Sequence, residues 1–352
     1  MKEIKMVVAA VFMLGALLLS FASAATAAPG SGPAAAEASF YKGKTVTFVV
    51  PTAPGGGYDA YARLISPYLA KSLEATVVVR NVPAAGFVEG HNFVYNAEPN
   101  GLTIGIINGV MQCVGQLLGY AETKRIDARR FSWIGVVASE PSVLVLSNKS
   151  PYRSLNDLKV AKSPIKFPAT GVTTKEVPTQ AILSEILGLN SKIILGFRGS
   201  KESSLAAIRG EVDAMTASAS SVADFVKNPE LTALCAVSRS RTSLFPGAPA
   251  ITELLPLNPQ QLKLLDLLEW IGQPERAIAA APGVPAGRVQ FLRSTLNKVL
   301  HDQGFLATAA KTQRIILYST GEELAKNVSE LLNMPESDIA KLKNTIEKYL
   351  VR

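Results

Sequence analysis

Three consecutive glycines, Gly55 to Gly57, form the stretch of this sequence with the clearest chemistry. Glycine has no Cβ, so its backbone can approach a ligand closely. The stretch that follows has helical spacing, and the N-terminus of a helix carries unpaired N–H groups and about half a positive charge. Such a turn is suited to bind a phosphate or a carboxylate. The donors that we predict are the backbone N–H groups of Gly55, Gly56, Gly57 and Tyr58.

The elements that position this turn follow from the flanking residues. Lys44 to Val50 is a short β-branched, apolar run that stops at a proline, which predicts a buried strand. From Asp59 to Leu69 the apolar residues recur at helical spacing, which predicts a helix. We therefore expect Asp59 to cap this helix and Pro54 to lie beside the bound anion.

Strands and helices alternate along most of the chain. The alternation is visible from 44 to 108 and again from 132 to 217, and the stretch from 288 to 349 reads as helices. This order predicts an α/β fold of mainly parallel sheets flanked by helices. Pro67 falls inside the first predicted helix, where we expect it to kink the helix or remove one hydrogen bond.

Small and polar residues follow the ends of several other predicted strands. In open α/β sheets, ligands bind beyond the carboxyl ends of the strands. These ends therefore supply further candidate ligand-binding residues. They are Gly86, Asn108, Thr170, Gly171, Thr174, Phe197, Arg198 and Ser218. Lys175 and Arg198 are the nearest candidate cations, since no Lys or Arg lies between Val46 and Ala62.

Composition limits the classes of partner. Apolar residues make up 48% of the chain and charged residues 18%, as in an ordinary globular protein. The net charge is +8 and the pI is about 9.4, but aromatic residues are only 7% and no basic run contains interleaved aromatics. We therefore expect no nucleic-acid partner.

Histidine and cysteine are too few and too dispersed for a structural zinc site. The chain has two of each, and none of the spacings matches a metal motif. We expect no metal, no cofactor and no catalytic residue. Cys113 and Cys235 each stand in an apolar context, which favours two free thiols, although a disulfide between them stays possible.

The first residues predict export. Lys2 and Lys5 precede an apolar run from Met6 to Phe21, and small residues follow it. This is the pattern of a signal peptide over 1–28, cleaved near Ala24 or Ala28. No Cys follows the run, and the Ala-, Gly-, Ser- and Pro-rich segment 29–39 predicts a flexible leader. The mature protein is expected in the periplasm.

A series of motifs resembles the extracytoplasmic solute receptors of tripartite tricarboxylate transporters, often called the Bug family. The resemblance runs from about Phe40 to the end of the chain, and its strength lies in the order of the motifs. They are Tyr41 to Lys44 with Pro51 to Leu64, then Val78 to Gly86, Pro99 to Thr103, Phe197 to Ser200, Gly210 to Asp213, Leu234 to Arg241, Pro249 to Glu253, and Ala281 to Pro285. The turn at 170–174 departs from the family pattern.

The resemblance implies a two-lobed periplasmic-binding-protein type II fold that closes on a small carboxylate. It also implies that the ligand is handed to the subunits of a membrane permease. The chain would cross between lobes near Ala138 to Pro141 and return near Gly272 to Arg276. Lobe one would then be 40–138 plus 276–352, and lobe two 139–275, in a protein that acts as a monomer.

Two other functions fit the sequence. A periplasmic sensor that presents its ligand-bound form to a signalling partner would have the same motifs. An NADP-type oxidoreductase is the other, because Gly55, Gly57 and Ala60 match the dinucleotide pattern and Arg80 ends the second strand. No general acid–base set supports the enzyme.

Overall fold

The computed structural model describes residues 33–83 and 87–351, so the predicted signal peptide lies outside the described residues. The strands are β1 Thr45–Val50, β2 Thr76–Asn81, β3 Thr103–Ile107, β4 Ser132–Ala138, β5 Ser142–Ser147, β6 Ile165–Pro168, β7 Ser191–Ile194, β8 Ala214–Ser218, β9 Leu231–Val237, β10 Arg276–Ala280 and β11 Ser319–Thr320. The first helices are α1 Pro33–Tyr41, α2 Gly57–Leu73, α3 Val88–Tyr95, α4 Gly109–Leu118, α5 Leu155–Lys159, α6 Glu176–Leu187 and α7 Ser200–Arg209. The remaining helices are α8 Ala219–Val222, α9 Ile251–Leu254, α10 Pro259–Gly272, α11 Ala286–Leu300, α12 Gln303–Lys311, α13 Gly321–Leu331 and α14 Glu336–Tyr349.

Lobe one is the part of the protein built on a six-stranded sheet in the order β11-β4-β10-β3-β1-β2. Strand β1 runs parallel to β2 and to β3, as the sequence predicts, and these strands carry fully buried side chains such as Phe48 and Ile106. Helices α2 and α11 pack beside this sheet through residues such as Ile65 and Leu296. Helix α2 continues past Pro67, which lies inside it.

Lobe two contains a three-stranded sheet, β8-β5-β9, and a two-stranded sheet, β6-β7. The sheets of the protein are mixed, which corrects the prediction of mainly parallel sheets: β10 is antiparallel to β3 and β4, and β5 is antiparallel to β8 and β9. Parallel neighbours need a crossover over their own sheet. The chain enters β5 and β10 directly from the other lobe, without a crossover over their own sheets. These two strands can therefore lie antiparallel to their neighbours.

The chain passes between the two sets of strands twice. Residues 139–141 join β4 to β5, and residues 273–275 join α10 to β10. The lobe limits taken from the sequence stay a prediction. The C-terminal helix, which that prediction assigns to lobe one, also contacts lobe two. Helix α14 packs on α6 of lobe two, where Lys348 pairs with Glu185 at 2.8 Å and Val351 N–H donates to Ile193 O.

The segment predicted as a flexible leader is helical from Pro33. Its alanines favour a helix, and its end is held by lobe one. Glu37 pairs with Arg288 at 2.8 Å, and the Arg288 guanidinium lies 3.5 Å from the centre of the Phe40 ring. No helix among residues 33–83 and 87–351 has the length and apolar character that crossing a membrane requires.

Candidate functional site

A cavity of about 460 Å³ lies between the glycine turn of lobe one and the first turns of α6 and α7 in lobe two. Seven of the residues predicted from the sequence line it. They are Pro54, Gly56, Gly57, Tyr58, Asn108, Arg198 and Ser218. Gly55 and five other predicted residues that the structure describes do not line the cavity. The five are Asp59, Thr170, Gly171, Thr174 and Phe197. Gly86 falls outside the described residues.

The glycine turn presents backbone donors to this cavity. Helix α2 begins at Gly57, and its first intrahelical hydrogen bond runs from Ala60 N–H to Gly56 O at 3.0 Å. The N–H groups of Gly57 and Tyr58 therefore have no acceptor within the helix. Both residues border the cavity, so these donors and the helix dipole are available to an anion there.

Asp59 holds the turn rather than capping the helix, which corrects one prediction. The residue at the cap position is Gly56, and Asp59 lies in the first turn. Its buried carboxylate accepts from Gly55 N–H at 2.9 Å, from Arg63 Nε at 3.0 Å and from Asn81 Nδ2 at 2.9 Å. Burial alone would raise the pKa of Asp59, but these hydrogen bonds hold it below the ordinary value. Because its N–H is already bound, Gly55 is not a donor to a ligand.

The turn after β6 faces the interior of lobe two. Thr170 and Thr174 are buried, and the Thr174 hydroxyl donates to Gly171 O at 2.8 Å. Phe197 N–H donates to Ala169 O, and its ring packs on the lobe-two core. The residues that come next in sequence, Lys175 and Glu176, take the cavity-lining position instead. The position of the strand end in the sequence could not show that the lining residues come later in the turn than predicted.

Asn108 is held by a buried histidine. Asn108 N–H donates to His91 Nε2 at 3.0 Å, and the Gln112 amide lies 2.6 Å from His91 Nδ1. Burial lowers the pKa of His91 to about 3, so the ring is neutral at ordinary pH. Asn108 in turn caps α4 by accepting from Met111 N–H at 3.0 Å. His91 therefore positions the loop that carries Asn108 to the cavity.

A buried charged cluster lies at the two lobe crossings, and two of its members, Lys175 and Glu275, line the cavity. Arg276 is fully buried; its Nη1 lies 2.8 Å from Glu140 Oε1 and 3.1 Å from Glu275 Oε1. Lys175 Nζ lies 2.7 Å from Glu275 Oε2 and also donates to Glu140 O. Burial alone would raise the pKa of Glu275, but Arg276 and Lys175 hold it below the ordinary value.

This cluster joins the two lobes. From lobe two, the Ser218 hydroxyl donates to Glu275, and Ser220 N–H donates to Glu140 Oε2 at 2.7 Å. From lobe one, the Tyr58 hydroxyl donates to Glu275 O at 2.8 Å. The sequence analysis named Lys175 as a candidate cation but missed the other members of this cluster. The signal for them was the pair of charged residues Glu275 and Arg276 at the start of an apolar strand.

The cations at the mouth of the cavity differ from those predicted. Lys175 is occupied by the buried cluster, and Arg198 is largely exposed and pairs with Glu202 at 3.4 Å. Lys201, in the first turn of α7, reaches across the cleft, and its Nζ lies 3.5 Å from the position that a Cβ on Gly55 would occupy. Within the described part of the chain, Lys201 has no ion-pair partner. The sequence analysis missed Lys201. Arg276 comes equally close to the glycine turn, 3.4 Å from a Cβ on Gly57, but it is paired with Glu140 and Glu275.

Neither zinc chemistry nor dinucleotide chemistry gains support from the geometry. Among residues 33–83 and 87–351, no three His, Cys, Asp or Glu side chains come together as a metal site would require. Cys113 and Cys235 are buried free thiols, as predicted. The Arg80 guanidinium lies 4.5 Å from the centre of the Phe93 ring and is absent from the cavity lining.

This chain is similar to one protein family and to several curated proteins. Residues 61–329 match the family model described as the tripartite tricarboxylate transporter family receptor. A UPF0065 protein from the tcbD-tcbE intergenic region of Pseudomonas sp. strain P51 is 28% identical over 264 residues, which cover 74% of this chain and 75% of that protein. Protein BugT of Bordetella pertussis is 25% identical over 305 residues, covering 85% and 87%.

Solved structures share the fold. The periplasmic binding protein BugD superposes with a TM-score of 0.72 at 20% identity, over 88% of this chain and all of the other. MatC of Rhodopseudomonas palustris, solved with bound malate, gives a TM-score of 0.69 at 18% identity, over 86% of this chain and 99% of the other. These similarities confirm the two-lobed periplasmic-binding-protein fold that the resemblance implies.

Proposed function

Because this chain belongs to the tripartite tricarboxylate transporter receptor family, we propose that it is an exported receptor that captures a small carboxylate between its lobes. It delivers this ligand, as a monomer in the periplasm, to the subunits of a tripartite tricarboxylate-type membrane permease. The family match supports the transport role, and the solved neighbour named for bound malate supports the class of ligand.

The observation that carries the proposal is the pairing of two anion-binding features across one cavity. On one side are the N–H groups of Gly57 and Tyr58 at the start of α2. On the other side is the Lys201 ammonium, which approaches Gly55 from lobe two. A carboxylate between them would receive backbone hydrogen bonds and a cation at once, and each bond to a charged group is stronger than a neutral one.

Carboxylate binding also gives a reason for the lobes to close. A ligand shifts a conformational equilibrium only by its difference in affinity for the two states. A carboxylate bound to the glycine turn alone would contact one lobe in the open state and Lys201 as well in the closed state. The ligand therefore favours closure because the lobe-two contact exists only when the cleft is shut.

A calorimetric comparison of carboxylates with their neutral amides tests the proposal. The purified protein is titrated with a panel of mono- and dicarboxylates and with the matching amides. A bound acid should lose at least tenfold in affinity when it is converted to its amide, because unpaired donors would then face an NH₂ group. Equal affinity for an acid and its amide would reject the carboxylate site. Small-angle scattering at saturation should show compaction, and an unchanged radius of gyration would reject closure.

A further inference from the structure

The charged side chains that line the cavity do not all neutralise one another. Most of them form ion pairs with acids or cations of the protein itself. These pairs are Lys175 with Glu275 at 2.7 Å, Arg198 with Glu202 at 3.4 Å, and Arg209 with Glu211 at 2.6 Å. Two lining charges are left over within the described ranges, the cation Lys201 and the acid Glu176. The cavity thus presents one unmatched charge of each sign.

Glu176 is the less expected of the two. It begins helix α6, where an acid is favoured by the helix dipole. The residue keeps some exposure, but its Oε2 atom is buried and has no hydrogen-bond partner among the described residues. Buried acceptors without partners are rare in native proteins because the lost hydration is not replaced. Burial also raises the pKa of Glu176, although the Thr174 hydroxyl, the backbone N–H of Glu176 and the Lys175 ammonium oppose this rise.

A second unsatisfied group lines the same cavity from lobe one. Thr52 is buried, its Oγ1 has no partner within residues 33–83 and 87–351, and it borders the glycine turn. Glu176 and Thr52 thus line one cavity from opposite lobes. The Thr52 hydroxyl can donate to a carboxylate oxygen, but an ionised Glu176 only accepts, so a ligand that offers only carboxylate oxygens has no proton to donate to Glu176.

We propose that the ligand is a carboxylate that also carries a hydrogen-bond donor, an ammonium or a hydroxyl group, and that Glu176 accepts from this donor. The inference rests on the proposed function, because the glycine turn and Lys201 hold the carboxylate end. An ammonium group is the better match, since it balances the charge of Glu176 as the carboxylate balances Lys201. Glu176 is then the residue that selects amino or hydroxy acids over plain acids.

Matched acids at three chain lengths test the proposal. The wild-type protein is titrated calorimetrically with propanoate, lactate and alanine, with succinate, malate and aspartate, and with adipate, 2-hydroxyadipate and 2-aminoadipate. At the length that fits, the acid with a donor should bind at least tenfold more tightly than the plain acid. If plain acids bind equally well or better, the inference is overturned while the carboxylate receptor stands. If no acid of either kind binds, the receptor proposal and this inference both fail.

Glu176→Gln identifies the donor. The amide keeps an acceptor oxygen but loses the charge, so a preference for the amino acid should fall at least tenfold, whereas a preference for the hydroxy acid should persist. Glu185→Gln is the matched control, since Glu185 lies on the same helix and pairs with Lys348 at the surface. Circular dichroism and the unfolding temperature without ligand verify the fold of both variants. If Glu176→Gln preserves a tenfold preference for the amino acid, Glu176 is not its partner and the inference is overturned.

Discussion

Arg276 and Glu140 form an ion pair with both side chains fully buried, and each residue stands at one of the two points where the chain crosses between lobes. The guanidinium also lies 4.7 Å from the centre of the Tyr61 ring and donates from Nη2 to Ser221 Oγ at 2.8 Å. Because Ser221 belongs to lobe two and Tyr61 to lobe one, this pair connects the crossings to both walls of the cleft.

Removing one partner of this pair should destabilise the fold strongly. Arg276→Met leaves Glu140 and Glu275 buried without their shared cation, and such a loss costs about 3–5 kcal/mol. Urea denaturation should show the change in the free energy of unfolding. Lys348→Met, which removes a surface pair with Glu185, is the control and should have a much smaller effect. A loss below about 1 kcal/mol for Arg276→Met would contradict the role of the pair.

Gly57→Ala should hinder closure. A Cβ at this position would overlap the Ser221 Oγ and would lie 3.4 Å from Arg276 Nη2. At Gly56 the nearest atoms would be 3.9 Å away, so Gly56→Ala serves as the steric control. Scattering at ligand saturation should give a larger radius of gyration for Gly57→Ala than for the wild type. The second substitution Ser221→Gly should restore compaction by removing the obstacle, and a failure to restore it would place the defect elsewhere.

Lys201→Met should weaken carboxylate binding by about tenfold, the size expected for a hydrogen bond to a charged group. Arg198→Met should change the affinity by less than about threefold, because Arg198 is exposed and already paired with Glu202. Titration calorimetry of the two variants measures this difference. Lys201 and Arg198 are both exposed, so high salt should reduce the contribution of either cation. If Arg198→Met weakens binding more than Lys201→Met does, Arg198 rather than Lys201 is the cation that holds the carboxylate.

His91 should make stability fall in acid. Burial depresses its pKa to about 3 in the folded protein, against roughly 6.5 in an unfolded chain. Between these values only the unfolded state takes up the proton, so the free energy of unfolding decreases as the pH drops below about 6.5. His91→Gln should flatten this part of the curve in denaturation experiments from pH 7 to pH 4. An unchanged slope would show that other groups dominate the acid dependence.

The two thiols should be unreactive in the native state. Cys113 and Cys235 are buried, and burial raises the pKa of each to about 12. Since the thiolate is the reactive form, iodoacetamide should modify neither until the protein is unfolded. Mass spectrometry of native and urea-treated samples counts the modified cysteines directly. Modification of either cysteine under native conditions would contradict the burial.

Local sequence patterns predicted much of the fold because they depend on neighbouring residues. The strand before the glycine turn, the helix after it and the parallel pairing of β1 with β2 and β3 all follow from alternation and spacing. The direction of β10 could not be predicted in this way, because a lobe crossing sets it. The helix from Pro33 is favoured locally by its alanines, and the pair of Glu37 with Arg288 holds it against lobe one.

The sequence by itself determined that a glycine turn would offer backbone donors at a helix start, since glycine and helix geometry are local properties. Only the tertiary structure decided which side chains face that turn. Lys201 and Glu176 come to the cavity because lobe two folds over lobe one, and Asp59 turns away because Arg63 and Asn81 bind it. Contacts between residues far apart in the chain depend on how the lobes pack, and no local pattern encodes that arrangement.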